Sequence, residues 1–259
     1  MSALQTEPLP SPGVQKVRTG IRGFDDLTGG GLPAGRSTLV SGGPGSGKTL
    51  FGLEFLVRGA QDFDEPGVLL AFEENAADLA ANATSLGFDL PALEADGRLI
   101  VDAMQIDPAE IITTGDFDLE GLFIRLAGSV KAIGAKRVVL DTIEVLFAAL
   151  DDAATVRAEF ARLLRWLKEQ GLTTVITGER GKEGQLTRSG IEEYVSDCVI
   201  VLDHRVRDEL ATRRLRIVKY RGSSHGTNEY PFLIRDRGLM VWPLTSVALT
   251  YGASDERVS

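Results

Sequence analysis

Eight consecutive residues, Gly42-Gly43-Pro44-Gly45-Ser46-Gly47-Lys48-Thr49, have the composition and spacing of a loop that wraps phosphate. They fit G-x-x-x-x-G-K-[ST] and lie between an apolar run and a helical pattern, which is the context the motif requires. Glycines let backbone N–H groups converge on phosphate oxygens, and the helix that follows points the positive end of its dipole at them. Lys48 can reach the outer phosphates and the Thr49 hydroxyl can ligate Mg2+. Gly43, Pro44, Gly45, Ser46, Gly47, Lys48, Thr49 and Leu50 are therefore the candidate nucleotide-binding run, with ATP and Mg2+ as the expected ligands. Gly29-Gly30-Gly31 is a weaker pattern and reads as a turn before the first strand.

Binding is not cleavage. Hydrolysis also needs a carboxylate to orient or deprotonate the attacking water and a cation to meet the charge of the transition state. Glu73 and Glu74 follow the apolar run Val68-Phe72, so they emerge at the carboxyl end of a strand, where open α/β sheets place their ligands. One of them is the candidate base. Both could equally lead into the next helix, with Asn75 as its cap. Asp141 ends the run Val138-Val139-Leu140, the pattern of a carboxylate that holds the Mg2+ shell, although an acid ending a strand can also be a plain loop residue. For the cation, Lys219-Tyr220-Arg221-Gly222-Ser223-Ser224-His225 follows a strand far along the chain. Lys219 and Arg221 could act across a subunit interface or form a solvated rim, and His225 taken alone is an ordinary loop histidine.

These residues must be positioned by elements that the pattern makes visible. Strands over Ser37-Ser41, Val68-Phe72, Leu99-Asp102, Val138-Asp141 and Thr173-Thr177 alternate with helices from Lys48 and over Ala76-Leu86, Leu119-Ile133 and Ala154-Gln170. That alternation predicts an α/β fold with a mostly parallel sheet flanked by helices on both faces. Cys198-Leu202, Leu215-Tyr220, Tyr230-Ile234 and Leu239-Trp242 lack intervening helices and predict antiparallel edge strands. Residues 1–14, with Pro8, Pro10 and Pro12, read as a flexible tail. Residues 15–250 read as one ATPase domain and 251–259 as a short C-terminal tail.

Composition narrows the partners. With 28 basic and 37 acidic residues among 259, the net charge of −9 disfavours nucleic acid. The arginines at 205, 207, 213, 214 and 216 are partly balanced by Asp203, Asp208 and Glu209 and read as a hairpin surface or interface rim. No apolar run approaches the ~20 residues of a membrane span and no secretory signal is visible, so a cytoplasmic location is expected. The single cysteine, Cys198, lies in an apolar run and reads as a buried strand residue.

Longer segments carry a resemblance. "GIRGFDDLTGGGLPAGRSTLVSGGPGSGKTLFGLEFL", "EPGVLLAFEENAADLAANATSLGFDL", "IEEYVSDCVIVL" and "KYRGSSHGTNEYPFLIRDRGL" resemble the KaiC family, RecA-like ATPases of the bacterial circadian clock, from about residue 15 onward. The resemblance implies a homohexameric ring with ATP at each interface, one subunit giving the phosphate loop and its neighbour Lys219 and Arg221. It also implies nucleotide contacts at Ser85, Tyr220, Ser223, His225 and Asp236, and a catalytic pair at Glu73 and Glu74. Arg235 departs from the family's threonine. Residues 105–116 match poorly.

The resemblance further implies ATP hydrolysis without autokinase activity. The family's second domain carries an adjacent Ser-Thr acceptor pair where this chain reads Gly178-Glu179-Arg180-Gly181, and Thr187 and Ser189 gain no acceptor role from the match. A small clock protein, KaiB in the family, is the implied partner. Glu256-Arg257-Val258-Ser259 echoes the segment beginning at Gln15 and raises the expectation of a second copy beyond it, the alternative being a single-domain homologue. Two other readings use the same loop: a nucleotide-gated scaffold that scarcely hydrolyses, and a strand-exchange motor, which the net charge opposes.

Overall fold

The computed structural model describes residues 13–104, 119–147, 153–181, 186, 196–207 and 209–242. Most of the N-terminal tail, the poorly matching 105–116 segment, Thr187 and Ser189, and the closing Glu256–Ser259 echo all lie outside the described residues.

Nine strands form one sheet. The phosphate loop lies between β3 (Ser37–Gly42) and α2 (Lys48–Asp62), after a short ribbon of β1 (Lys16–Val17) and β2 (Leu32–Pro33) that encloses α1 (Phe24–Thr28). Gly29 to Gly31 form the turn out of α1, as expected. Next come β4 (Gly67–Ala71), α3 (Ala76–Thr84), α4 (Leu90–Ala95) and β5 (Leu99–Ala103). They are followed by α5 (Leu119–Ile133), β6 (Arg137–Asp141), α6 (Ile143–Phe147), α7 (Ala153–Glu169) and β7 (Thr173–Glu179). The chain ends in β8 (Cys198–Arg207), β9 (Leu210–Tyr220), β10 (Tyr230–Arg235) and β11 (Gly238–Val241).

The strand order is β11-β10-β9-β8-β3-β7-β6-β4-β5, which puts β3 in the middle. β3, β4, β5, β6 and β7 pair in parallel, and β9, β10 and β11 continue the sheet antiparallel. β8 corrects the expectation. It pairs parallel to β3 and antiparallel to β9, so it joins the two kinds of ladder instead of belonging to the antiparallel edge.

Alternation along the strands sends side chains to two separate cores. Val40, Leu69, Val139, Val175 and Ile200 face one core with α2, α3 and α4. Leu39, Val68, Leu70, Val138, Leu140 and Ile176 face the other with α5 and α7. α2 is buried on most of its surface, Phe51, Phe55, Leu56, Val57 and Ala60 being fully enclosed, so the helix behind the loop is fixed by the core. Cys198 is buried as expected, and burial pushes its thiol up to about 12. Among the described residues no helix is long and apolar enough to cross a membrane.

Candidate functional site

Gly42 ends β3 and Lys48 opens α2, so the connection is confined to Gly43–Gly47. A Cβ on Gly42 would come within 2.3 Å of the Ser46 hydroxyl oxygen and 2.7 Å of the Leu202 carbonyl, so the loop can curl back only over a glycine. Lys48 donates from Nζ to the carbonyls of Gly42 at 2.8 Å and Gly43 at 3.2 Å, which folds its ammonium over the loop. The Ser46 hydroxyl is buried with no hydrogen-bond partner among the described residues. A phosphate group fits this cradle: it meets an ammonium, a helix N-terminus and an unsatisfied hydroxyl.

A cavity of about 370 Å³ opens beside the loop. Its polar end is formed by Gly45–Thr49 and Glu74, its apolar end by Leu50, Leu53, Leu79, Leu86 and Ile234. Polar and apolar ends in one cleft suit a ligand with a phosphate tail and a flat base.

Glu73 and Asp141 come together because β4 and β6 are neighbours, with Ala71 level with Asp141. The Phe72 N–H donates to the Asp141 carbonyl at 2.8 Å, which holds the chain after β4 against the end of β6. Asp141 accepts hydrogen bonds from the hydroxyls of Thr177 and Thr49. Burial raises its carboxyl above the usual range, the two threonine bonds oppose this, and the nearby Glu73 charge adds to the rise. A threonine hydroxyl beside a carboxylate is the hard-oxygen donor pair that Mg2+ takes.

Glu73 is exposed and accepts from the Thr142 hydroxyl at 2.9 Å, so it is tethered next to Asp141. Glu74 accepts from the Asn82 amide at 3.2 Å across the first turns of α3. Asn75 caps that helix through the Asp78 N–H at 2.9 Å, as the sequence suggested. Ser85 closes α3 and donates to the Asn82 carbonyl at 2.7 Å, one residue before Leu86 in the cavity wall. Asp236, in the β10–β11 turn, meets the same corner: its carbonyl is 2.9 Å from where a Cβ of Gly87 would lie. Ser85 is thus one residue from the cavity wall, and Asp236 packs near Gly87 while lining a separate cavity with Glu54 and Arg58.

A family model described as "ATPase: KaiC" matches residues 17–246. The chain belongs to the KaiC family. "Circadian clock protein KaiC2" of Synechocystis sp. is 55% identical over 244 residues, covering 94% of this chain and 43% of that protein. "Circadian clock oscillator protein KaiC" of Synechococcus elongatus is 45% identical over 247 residues, covering 95% of this chain and 48% of that one. The corresponding protein of Parathermosynechococcus lividus is 43% identical over 248 residues. The chain spans about half the length of the curated relatives it matches.

In this KaiC-family chain the remaining candidate residues lie elsewhere. Cys198 of β8 is level with Thr38 of β3 and with Tyr220 of β9, whereas Leu202 and Leu215 are level with Gly42. At about 3.3 Å per residue, Tyr220 is thus roughly 13 Å down the sheet from the level of the phosphate loop, and two strands to the side. Lys219, Arg221, Ser223 and His225 share that opposite end, so none of them reaches the loop of the same chain. The Tyr220 hydroxyl is committed inward, donating to the Gly31 carbonyl at 3.0 Å, and its ring stacks on His225 with centroids 6.3 Å apart. Its side chain secures the end of β9 instead of facing solvent. Arg235 is exposed near the end of β10.

Four supporting residues escaped the sequence reading. Asn82, Thr142 and Thr177 each hold one of the acids, and Ile234 closes the cavity from a strand nearly two hundred residues away in sequence. Only Asn82 left a signal: Leu79, Asn82 and Leu86 repeat at helical spacing behind Glu74.

Proposed function

We propose that this chain hydrolyses ATP in a closed ring, six copies by the family resemblance, each active site being shared by two copies. Gly43–Leu50, Ser85 and Asp236 bind the nucleotide, and Ser223 and His225 of the next copy, with the main chain at Tyr220, whose side chain is committed inward, line its far side. Thr49 and Asp141 would hold Mg2+, which when bound would supply positive charge to the phosphates. Lys48 leaves the loop carbonyls for the phosphate oxygens. Glu73 and Glu74 orient the water and take its proton, with Thr142 and Asn82 fixing them. Lys219 and Arg221 come from the next copy and meet the charge that spreads over the transferring phosphoryl group.

The separation of Lys219 and Arg221 from the loop carries this reading. A head-to-tail arrangement puts the cation-bearing end of one copy against the loop-bearing end of the next, and such contacts form a ring when the rotation between copies closes. Nucleotide state, by opening or tightening each shared site, would control docking of a small clock protein of the KaiB kind.

The test mixes two inactive variants. Glu73→Gln/Glu74→Gln copies keep the cations and lose the base; Lys219→Ala/Arg221→Ala copies keep the base and lose the cations. Alone, each should release almost no phosphate in rings seen by native mass spectrometry with ATP and Mg2+. Mixed equally, they should regain activity at roughly a quarter of their interfaces. Mixed rings without recovered activity would refute a shared site.

A further inference from the structure

We infer that Asp197 is a positioning residue for Arg221, holding that arginine in register for the neighbouring copy's nucleotide. The inference rests on the trans-acting role proposed above for Arg221.

An arginine on an exposed turn samples many rotamers, and a cation that must meet a transition state gains by being fixed beforehand. Arg221 lies on such a turn, just past β9, with a side chain 55% exposed. What it leans on is rigid. Ser196, Asp197 and Cys198 are 0%, 8% and 0% exposed, and the Asp197 N–H donates to the Ser37 carbonyl at 3.0 Å. The Asp197 carbonyl then accepts from the Arg221 N–H at 2.9 Å, so the backbone of the turn is tied to the edge of the core.

The side chain adds a second tie. Oδ1 of Asp197 lies 3.9 Å from a terminal nitrogen of Arg221 and 3.6 Å from one of Arg36, so both cations share that oxygen. A cavity of about 340 Å³ surrounds this point, lined also by Arg165 and Lys168 of α7, and Asp197 is the sole acid among its lining residues. One carboxylate among several cations fixes their relative placement. At 3.9 Å the contact is an ion pair and not a hydrogen bond, so the carboxylate restrains by charge where the planar guanidinium sits.

Asp197→Asn keeps the main-chain ties and the shape and removes the charge. In the full chain with ATP and Mg2+, it should lower kcat by about tenfold, the scale of one lost rotamer restraint, with KM and the ring population nearly unchanged. Asp197→Glu should recover part of the loss. In an Arg221→Ala background, followed by radiolabelled phosphate release, Asp197→Asn should change nothing further. Wild-type kcat in Asp197→Asn overturns the inference, as does a loss that multiplies with that of Arg221→Ala or tracks dissociation of the ring. If Arg221→Ala itself leaves turnover intact, the shared-site reading fails; if only Asp197→Asn is silent, that reading stands and Asp197 has no positioning role.

Discussion

At the carboxyl end of the parallel strands, polar groups are gathered but left partly unsatisfied: Ser46 is buried without a partner among the described residues, Lys48 rests on loop carbonyls, and Glu73 is exposed on a threonine tether. At the amino end of β6 the opposite holds. Arg137 is 0% exposed, donates to Glu65 at 2.7 Å, the Phe55 carbonyl at 2.7 Å and the Arg18 carbonyl at 2.8 Å, and its guanidinium carbon sits 4.4 Å from the Phe55 ring centroid. Buried polar groups are normally paired, so the fully paired Arg137 reads as structure, and the buried Ser46 hydroxyl beside Lys48 reads as part of a binding site. Lys219 and Arg221 lie on the amino side, and in the proposed ring they would act at another copy's carboxyl side.

The largest effect that would sharpen this contrast comes from the acids. Glu73→Gln with Glu74→Gln should lower phosphate release by roughly 10²–10³, the contribution of a positioned general base, while ATP binding and ring assembly persist. Thermal midpoints should stay close to wild type, since Glu73 is exposed and the two side chains are held by hydrogen bonds from Thr142 and Asn82 near the surface. Near-wild-type phosphate release from the double variant would remove hydrolysis from this site and leave a nucleotide-gated scaffold.

Arg137→Met should do the reverse. It strips donors from two backbone carbonyls and the cation from Glu65, a loss of ~3 kcal/mol in unfolding free energy. Gly59 makes the site intolerant of repacking, since a Cβ there would stand 2.5 Å from the Arg137 side chain. A fall of roughly 10 °C in the melting midpoint is expected, with kcat per assembled ring unchanged. A stable variant with impaired turnover would mean that the two ends are not divided by role.

What the sequence revealed and what it hid follow the same physics. α5 was legible to its limits at Leu119 and Ile133, because its apolar positions repeat at helical spacing. The loop and its acids were legible because each closes an apolar strand. β8 and β9 were read too short, as Cys198–Leu202 and Leu215–Tyr220. Their outer halves pair Asp203 with Arg214 and His204 with Arg213, and backbone pairing there continues past the apolar pattern. α4 was missed although Asp89 caps it through the Ala92 N–H at 3.0 Å, because six residues are too few to show a period. Arg137 carries no mark in the sequence, because its partners come from three distant segments. The assignment of Lys219 to a neighbouring copy came from resemblance, and only the strand register supplies a physical reason for it.

The smallest expected effect concerns Glu54, on α2 behind the loop. Burial pushes its carboxyl from the usual 4.5 up to about 7, and the Leu239 N–H at 2.6 Å with the Arg58 and Arg22 charges only partly opposes this. Asp62, Arg235, Asp236 and Arg237 line the same cavity. A folded state that holds the proton more tightly than the unfolded chain is favoured by acid. The stability from this group is full below pH 4.5, falls through the interval and is gone above about 7, at most roughly 3 kcal/mol over that span. Glu54→Gln imitates the protonated form and should melt above wild type at pH 8, with the difference shrinking toward pH 5. A difference that does not vary with pH would show that Glu54 keeps one charge state throughout. The sharing of Glu54 between α2 and β11 would then be a fixed tie between the loop helix and the strand pair that carries Asp236.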